Sequence, residues 1–516
     1  MSHPESPYHA EGDMTVFQVP IVRTGTAALN RALFSKSIGI AAAAVHDNKT
    51  IAHYRKALQA SKEILQADRV SPICPHPDKA LAEQGRKCLL LTPGVKAEAP
   101  DTWGPVLKDG VQKKDLSVMP YELKLDYDYW SYRDVMLSIL PEDLHDEIPS
   151  GFNIAGHVAH LNLRDAYVPY KQLIAEILLD KNPQIRTVIN KVDNVGAESE
   201  FRTFQYEVLA GPDDMQVTVN EGDCTFEFDY SKVYWNSKLE TEHRRLVTLF
   251  RPGEVVCDVM AGIGPFAVPA GKKRVFVWAN DKNPESFKCL EAAIQRNKVA
   301  PFVRPFCEDG HAFIRRAADD VLEASRRGEC AVLPAKVKPP RRGGKNNNNN
   351  NSSSSSSSSR SSKPSSSSQP QAQPQAPAQE ERIPIPPTIS HFVMNLPASA
   401  IDFLPSYRGL YAGHEDLFAP GAGGRLLPMV HVHCFGPKAD DDGPKLDVCE
   451  RVSKALGARV RLAKEGEEEG REETVGEDGL PEVAASVHLV RAVAPAKSMY
   501  CASFRLPRAV AFAPRE

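Results

Sequence analysis

One stretch, residues 255–266 (VVCDVMAGIGPF), constrains the fold more than any other part of the chain. A β-branched run ends in Asp258, and Gly262 and Gly264 follow, two residues apart, before an apolar segment. Glycines at such a turn let the main chain approach a ligand without interference from a Cβ atom, and they accept positive φ. The pattern predicts a parallel strand that breaks into a turn at a nucleotide-binding site.

A second predicted strand, residues 275–281 (VFVWAND), also ends in an acid, Asp281, which can bind both hydroxyls of a ribose. Two ligands fit this arrangement. A dinucleotide site would place Ala267 at the third glycine position of G-x-G-x-x-G. S-adenosylmethionine carries an amino group that suits Asp258. The two strand-end acids favour the methyl donor, with an ordinary αβ turn as the alternative without a ligand.

Size and composition exclude several classes of protein. A chain of 516 residues predicts two to four domains, and 63 Lys and Arg against 66 Asp and Glu leave no overall basic field. The ten cysteines are scattered, without a C-x-x-C pair, so we expect reduced thiols and no metal. No apolar run approaches the roughly 18 residues of a membrane span. Residues 20–45 are basic without an acid, which fits a first-domain helix or a mitochondrial signal.

The pattern of apolar, polar and charged residues changes twice along the chain. We predict an α+β domain at 1–115, an RNA-facing α+β domain at 116–230 and a catalytic domain at 231–516. A low-complexity insert of Asn, Ser, Gln and Pro at 335–381 cannot bury enough apolar surface to offset its ordering entropy, so we predict disorder there. Long insertions into surface loops cost little, so the catalytic sheet can continue at residues 391–394.

Alternating strands and helices close with two predicted antiparallel strands at 486–493 and 498–504. Dehydrogenase sheets usually stay parallel to the end, whereas a methyltransferase sheet ends in a hairpin. We therefore predict an α/β fold: a Rossmann-like class I S-adenosylmethionine-dependent methyltransferase domain with a seven-stranded mixed sheet, preceded by α+β N-terminal domains. Asn395 and Pro397, after the fourth strand, match the turn that lies over the methyl donor in amino-directed methyltransferases.

At this point the chain resembles eukaryotic, fungal-type tRNA (guanine-37-N1)-methyltransferases, which have archaeal relatives. The resemblance covers nearly the whole chain except the insert and an acidic loop at 465–473. It is carried by seven stretches in order: 156–164 (GHVAHLNLR), 187–191 (TVINK), 201–211 (FRTFQYEVLAG), 233–243 (VYWNSKLETEH), 258–266 (DVMAGIGPF), 280–284 (NDKNP) and 395–397 (NLP).

The resemblance implies roles for five side chains. Guanine N1 carries a proton at neutral pH, so methylation needs a base and a group that stabilises charge on O6. Glu242 matches the family's general base, a task that calls for a raised pKa. Arg202 matches the donor to O6, and Arg stays charged while donating two hydrogen bonds. Asn395 would orient the base between Tyr234 and Pro397.

For the cofactor, the resemblance points to a set of residues at strand ends and in the glycine loop. These are His243, Asp281 with Lys282, Asp309 with Gly310, Asn395, Gly262 and Gly264. The positions of Asp281 and Asp309 at the ends of predicted strands independently place Asp281 at the ribose and Asp309 near the adenine amino group. One departure is Lys238, where many relatives have Arg; Lys keeps the charge but loses the bidentate fork.

The implied reaction is transfer of the methyl group of S-adenosylmethionine to N1 of guanine 37, next to the anticodon, without a metal. This modification supports reading-frame maintenance and is the first step toward wybutosine in tRNA-Phe. We expect a monomer that contacts the anticodon stem-loop and elbow of tRNA through its N-terminal domains, in cytoplasm and nucleus with a mitochondrial matrix pool. The alternatives are the aminocarboxypropyl transferase of wybutosine synthesis, an inactive tRNA-binding homologue and a nicotinamide-dependent oxidoreductase.

Overall fold

The computed structural model forms two compact units. It describes residues 14–23, 28–192, 201, 203, 205–333, 380–419, 424–464, 466–467, 474–476 and 481–515. The first unit comprises residues 1–218 with 229–231 and 235–237, and the second comprises 219–228, 232–234 and 238–516. The predicted disordered insert lies outside the described residues except for its last two positions.

Two four-stranded sheets build the first unit, in the orders β2-β3-β1-β4 and β5-β6-β7-β8. The strands are β1 (Lys36–Val45), β2 (Ile73–Pro75), β3 (Lys87–Leu90), β4 (Leu116–Leu125), β5 (Asn153–Ala155), β6 (Val158–Leu161), β7 (Thr187–Lys191) and β8 (Tyr206–Ala210). The helices are α1 (Ile51–Ala60), α2 (Lys79–Glu83), α3 (Pro105–Gln112), α4 (Tyr132–Ile139) and α5 (Lys171–Lys181). The parallel pair β6 and β7 is joined through α5, whereas the other two pairs of this sheet are antiparallel.

The predicted domain boundary at 115/116 divides one of these sheets. β4 begins at Leu116 and pairs antiparallel with β1 along ten residues, from Lys36↔Leu125 to Val45↔Leu116. One apolar core includes Ile40 of β1 together with Ile174 of α5 and Val188 of β7. The two sheets therefore share buried side chains, while a second core cluster, which includes Ala43, Leu58 and Leu107, lies almost entirely within the first 115 residues.

The second unit contains the predicted catalytic sheet. A two-stranded sheet of β9 (Gln216–Glu221) and β10 (Cys224–Asp229) leads into it. The strands that follow are β11 (Val255–Asp258), β12 (Phe276–Asn280), β13 (Val303–Phe306), β14 (Cys330–Leu333), β15 (Glu381–Pro384), β16 (His391–Met394), β17 (Met429–Pro437), β18 (Arg459–Leu462), β19 (Thr474–Val475), β20 (Pro481–Ala494) and β21 (Lys497–Arg505). The helices are α6 (Glu240–Leu249), α7 (Ala267–Lys272), α8 (Pro284–Arg296), α9 (Gly310–Arg326), α10 (Gly443–Leu456) and α11 (Arg508–Ala511).

Seven strands of the large sheet follow one another in the order β13-β12-β11-β16-β17-β21-β20. The first five are parallel, and β21 runs antiparallel to both of its neighbours. This order confirms the predicted mixed methyltransferase sheet with its closing hairpin. The described sheet has nine strands, because β20 is long enough to pair with two further strands, β18 and β19.

The order of the strands fixes where a ligand can bind. The chain moves outward from β11 to β12 and β13, and then returns to the other side of β11 with β16. The loops after β11 and β16 therefore diverge, and a crevice opens at the carboxyl ends of the strands. α8 begins beside it as predicted: the Asn283 side chain accepts a hydrogen bond from Glu285 N, and Pro284 occupies the first turn.

Both ends of the insert are joined by a short ladder. β14 and β15 pair antiparallel from Cys330↔Pro384 to Leu333↔Glu381. The Glu381 carboxylate also accepts a hydrogen bond from Arg274 at 2.8 Å. The chain therefore enters and leaves the insert at one place. Within the described ranges, no helix combines the length and apolar character needed to cross a bilayer.

Candidate active site

Glu242 lies in the first turn of α6 with only 1% of its side chain exposed. Arg245, one turn on, donates two hydrogen bonds to the carboxylate, Nε to Oε2 at 2.7 Å and Nη2 to Oε1 at 2.9 Å. Nε2 of His433, on β17, lies 2.8 Å from Oε1. Both carboxylate oxygens are therefore held, one of them by two partners.

These contacts set the protonation state of Glu242. Burial by itself raises the pKa of this carboxyl, but the hydrogen bonds from Arg245 and His433 outweigh burial and lower the pKa to about 2. The expectation of a raised pKa is therefore wrong for this arrangement. The carboxylate is ionised throughout the neutral range, and its basicity is suppressed while both partners remain in place.

His433 is fully buried and lies between two functional segments. Its Nδ1 is 3.2 Å from the carbonyl oxygen of Met394, the residue before Asn395. Ligand atoms of Glu242, His433 and Cys501 lie within 4.8 Å of one another, but Arg245 occupies the carboxylate that a cation would need. The expectation that no metal is required stays a prediction.

Asn395 and Pro397 follow β16 directly, where the sequence predicted them. The Asn395 side-chain oxygen is buried and has no hydrogen-bond partner among the described residues. A buried carbonyl without a partner costs free energy, which favours a site that is completed by a ligand. Pro397 accepts a hydrogen bond from Phe435 N through its carbonyl oxygen, which ties the turn to β17.

Tyr234 keeps 38% of its surface exposed, whereas Val233 and Trp235 on either side are buried. It is therefore not a core residue. The predicted stacking of a base between Tyr234 and Pro397 stays a prediction. Arg202, the predicted donor to O6, lies outside the described residues.

The glycine loop after β11 has two glycines with different functions. Gly262 and Gly264 have φ of +55° and +96°. A Cβ atom at Gly264 would lie 2.7 Å from Leu290 Cδ1, so this glycine permits close packing on α8. Nothing lies within 4 Å of a Cβ atom placed at Gly262, so the loop borders open space there.

Asp281 lies directly after β12 and is tied to that loop. Its Oδ2 accepts a hydrogen bond from Gly262 N at 2.7 Å, and its Oδ1 accepts one from Asn283 N at 2.9 Å. Burial raises its pKa, and the two main-chain donors oppose this. A carboxylate can accept about four hydrogen bonds, so two acceptor positions remain for the hydroxyls of a ribose.

Asp258, at the end of β11, is fully buried, and neither carboxylate oxygen has a hydrogen-bond partner among the described residues. Burial, reinforced by the charge of Asp281, raises its pKa to about 8. Asp258 is a buried acid without a hydrogen-bond partner, and the loop at Gly262 borders open space. A nucleoside with a positive charge suits both features. S-adenosylmethionine therefore suits these residues.

Two further predicted residues, Lys282 and Asp309, lie at the edge of this crevice. Lys282 Nζ is 3.4 Å from Asp309 Oδ2, while Asp309 Oδ1 caps α9 by accepting from His311 N at 2.9 Å. Burial opposes these donors, but together they lower the pKa of Asp309. The cap leaves Oδ2 as the oxygen that can face an adenine amino group.

Gly310 and His243 contact aromatic rings. A Cβ atom at Gly310 would lie 2.9 Å from Cε1 of Phe403, whose ring stacks on His311 at 4.1 Å. Phe403 belongs to the short 3-10 helix Ala400–Tyr407. His243 Nδ1 lies 2.5 Å from Glu221 Oε1, and the ring meets Phe266 edge-on at 4.8 Å. The glutamate holds the orientation of this imidazole.

Sequence reasoning missed Arg245, His433 and Phe403. The spacing of Glu242 and Arg245, three residues apart on a predicted helix, was a usable signal for an ion pair. Histidine in the otherwise apolar strand 429–435 was another, because a buried imidazole usually has a specific partner. Nothing local marked Phe403.

Two family models match the chain. The TYW2 N-terminal domain matches residues 132–214, and the TRM5/TYW2 methyltransferase domain matches residues 217–344. Each model covers less than half of the chain, so each match concerns its own segment.

Curated relatives are similar along nearly the whole length. The tRNA (guanine(37)-N(1))-methyltransferase of Neurospora crassa is 62% identical, with 98% of this chain and 96% of the relative covered. The enzymes of the same name from Aspergillus fumigatus and Schizosaccharomyces pombe are 46% and 40% identical, over 96% and 94% of this chain and 95% of each relative.

Two solved structures share the fold. Wild-type Trm5b from Pyrococcus abyssi has a TM-score of 0.52 at 18% identity, covering 91% of this chain and 99% of that one. The aTrm5 chain solved in complex with tRNALeu has a TM-score of 0.53 at 16% identity, covering 90% of this chain and 99% of that one. At these identities the similarity concerns the fold.

Proposed function

Because the chain belongs to the tRNA (guanine(37)-N(1))-methyltransferase family, we propose that it transfers a methyl group from S-adenosylmethionine to N1 of guanine 37 in tRNA. The observation that carries the proposal is the identity of 62% along 98% of the chain with a curated enzyme of that name. The buried acid, glycine loop and strand-end amide of the second unit suit this chemistry.

The cofactor supplies an electrophilic methyl group when bound. In our proposal the Gly262 loop gives it room, Asp281 accepts from its ribose hydroxyls, and Asp309, with Lys282 beside it, faces its adenine. His243 and Gly310 border the same crevice. Asp258, at the end of β11, is protonated without ligand, and in our proposal it ionises when a cationic ligand compensates its burial.

The guanine needs a proton acceptor and fixed hydrogen-bond partners. We assign the N1 proton to the Glu242 carboxylate, which is ionised at neutral pH. Asn395 orients the base through its buried carboxamide oxygen, Arg202 donates to O6, and Tyr234 and Pro397 stack on the ring. Guanine 37 must leave the anticodon loop stack, at a cost of a few kcal/mol that other tRNA contacts must offset.

We further propose that the first unit supplies those contacts, to the anticodon stem-loop and elbow, and that the enzyme acts as a monomer without a metal. Cytoplasm and nucleus, with a mitochondrial matrix pool, is the proposed distribution.

A labelling experiment tests the reaction. Purified protein is incubated with unmodified tRNA that has guanine at position 37, and with donor labelled either in the methyl group or in the aminocarboxypropyl arm. We expect methyl label on N1 of guanine 37 and none on a tRNA with adenine there. Transfer of the other label would indicate the wybutosine-pathway transferase, and no transfer of either would leave an inactive tRNA-binding homologue.

Glu242→Gln tests the assignment of the base. We expect the single-turnover rate to fall at least 100-fold, while the affinity for donor changes little. Glu240→Gln, on the same helix but on its exposed side, is the matched control and should keep the wild-type rate. Equal loss of rate and donor affinity in Glu242→Gln would refute the assignment.

A further inference from the structure

The imidazole of His433 links the Glu242 carboxylate to β16, the strand that leads into Asn395. Nε2 lies 2.8 Å from Glu242 Oε1 on α6, and Nδ1 lies 3.2 Å from the Met394 carbonyl oxygen on β16. The side chain is completely buried. The one ring therefore contacts a helix and a strand that are far apart in sequence.

The partners at Glu242 and Met394 are hydrogen-bond acceptors, and the Cys501 thiol also lies beside the ring. A carboxylate oxygen and a carbonyl oxygen can each be satisfied only by an N–H, so both nitrogens of the ring donate when both contacts form. Burial opposes this charged form, but Cys501 and the Glu242 carboxylate outweigh it and raise the pKa of His433 to about 10. With both contacts formed, the ring is held between two fixed acceptors.

We propose that His433 is a positioning residue for methyl transfer, which holds the Glu242 carboxylate in a fixed place relative to the main chain of Met394 and hence to Asn395. This inference rests on the proposed function, because it concerns the same proton acceptor and the same amide. His433 does not contact the guanine in this assignment and acts through Glu242.

Arg245, the second partner of Glu242, lies on the same helix and so does not link the carboxylate to β16 by this contact. Arg245 lies on α6 itself, three residues after Glu242, and 24% of its side chain is exposed. It can fix the carboxylate relative to the helix, but not relative to β16. His488 on β20 is 3.9 Å from Oε2, beyond hydrogen-bond distance. His433 therefore provides a direct hydrogen-bonded link from this carboxylate to the central sheet.

The register of the sheet makes this link direct. Met394 on β16 is paired with Val432 on β17, next to His433. The ring therefore reaches the last residue of β16 from the neighbouring strand, and the next residue along the chain is Asn395. A small rotation of α6 would move Glu242 away from Asn395 unless this contact held. Misplacement of a reacting group by about 1 Å can cost about 100-fold in rate.

Three variants test the proposal. His433→Leu removes both donors, His433→Gln keeps an amide N–H that can reach Glu242, and His431→Gln is the matched control. His431 is also buried on β17, but it contacts Ser503 Oγ at 2.8 Å and His391 at 3.0 Å instead of Glu242. Circular dichroism and donor affinity show whether each variant is folded.

We expect His433→Leu to lower kcat about 100-fold, with KM for tRNA and Kd for donor within threefold of wild type. His433→Gln should recover at least tenfold of this loss, and His431→Gln should retain wild-type kcat. Equal losses in His433→Leu and His431→Gln would overturn the proposal, as would a rise in KM at unchanged kcat. If His433→Leu does not fold, a His433→Gln rate equal to that of Glu242→Gln overturns it.

A crystal structure of His433→Gln or His433→Leu separates this inference from the proposed function. Displacement of the Glu242 carboxylate relative to Asn395 in His433→Leu, with its recovery in His433→Gln, supports the positioning role even if wild-type protein does not methylate guanine 37. An unmoved carboxylate in His433→Leu would refute the role even if the wild-type enzyme is active.

Discussion

Gly262 donates its main-chain N–H to the Asp281 carboxylate at 2.7 Å, so the loop after β11 is fastened to the end of β12. Two parallel neighbours thereby hold one wall of the crevice together, through a side chain that still has acceptor positions for a ligand. The carboxylate shapes the loop and can bind the ribose at the same time.

Asp281→Ala should therefore lower donor affinity more than loss of a single ligand contact would. We expect at least a 30-fold rise in Kd, measured by isothermal titration calorimetry, because both the ribose acceptor and the loop contact are lost. Glu285→Ala is the control, since Glu285 pairs with Lys288 on the exposed face of α8. Unchanged Kd in Asp281→Ala would exclude this side chain from the donor site.

Arg245→Met should change the pH dependence of catalysis. Burial favours the neutral acid, and Arg245 helps to bring the pKa of Glu242 down from 4.5 to about 2. Without the guanidinium the pKa rises, so a larger fraction of Glu242 is protonated at mildly acidic pH. We expect an acidic limb in the single-turnover rates of the variant at a higher pH than in wild type.

The control for that experiment is Arg244→Met. Arg244 is the neighbouring residue, its side chain is 67% exposed, and its ion-pair contact is with Glu240 at 3.8 Å. Its profile should match that of wild type. The same limb in both variants, or in neither, would contradict a specific effect of Arg245 on Glu242.

Asp258→Asn should stabilise the protein above mildly acidic pH in the absence of donor. The folded carboxyl has a pKa of about 8 against an ordinary 3.8, so the folded state holds a proton that the unfolded chain has released. Stability of the wild type therefore falls as pH rises from about 4 to 8, and the Asn variant lacks this loss. At about 1.4 kcal/mol per pKa unit, the difference at pH 7 should reach a few kcal/mol.

Urea unfolding at pH 4, 6 and 8 measures that difference. The gain in free energy of unfolding should increase from pH 4 to pH 8. Asp320→Asn is the comparison, since Asp320 is only partly buried and pairs with Arg316. A pH-independent difference for Asp258→Asn would mean that its carboxyl is already ionised in the folded state.

Gly310→Ala should weaken donor binding although alanine favours helices. The new methyl group would lie 2.9 Å from Phe403 Cε1 and 3.3 Å from Val259 Cγ1, so the Phe403 ring must move. We expect a three- to tenfold rise in donor Kd by calorimetry. Restoration by a second substitution, Phe403→Leu, would identify the clash as the cause, and wild-type Kd in Gly310→Ala would exclude it.

Replacement of residues 335–379 by a short Gly-Ser segment should leave the methylation rate unchanged. The flanking strands already pair at Leu333↔Glu381, so the segment only has to connect two adjacent ends. Each halving of loop length favours the folded state by about 0.6 kcal/mol, so thermal unfolding should show a small rise in Tm. A loss of rate with an unchanged Tm would reveal a functional contribution of the insert.

Local patterns predicted the sheet well because its strands alternate with helices in order. The strand predicted at 391–394 is β16, and the two closing strands predicted at 486–493 and 498–504 lie within β20 and β21. Acid after a β-branched run correctly located Asp258 and Asp281 at strand ends. In each case the signal lies within a few residues.

Contacts between distant segments were not predictable in the same way. Glu242 and His433 are 191 residues apart, and the sequence near Glu242 does not indicate which strand faces α6. The low pKa of Glu242 was unpredictable for the same reason. It depends in part on the hydrogen bond from His433, whereas burial alone would have raised this pKa. The domain boundary at 115/116 stays a prediction, and the pairing of β4 with β1 across it is another contact between distant segments.

The position of β21 has a consequence for how this protein is made. β21 lies inside the large sheet, paired along nine residues with β17, which precedes it by about 60 positions. Until the ribosome has released residue 505, β17 exposes an unpaired apolar edge in the middle of the future sheet. Folding of the catalytic unit must therefore wait until residue 505 has emerged, whereas the first unit can fold once residue 237 has emerged. During that interval the nascent chain presents a strand edge that chaperones must shield from other chains.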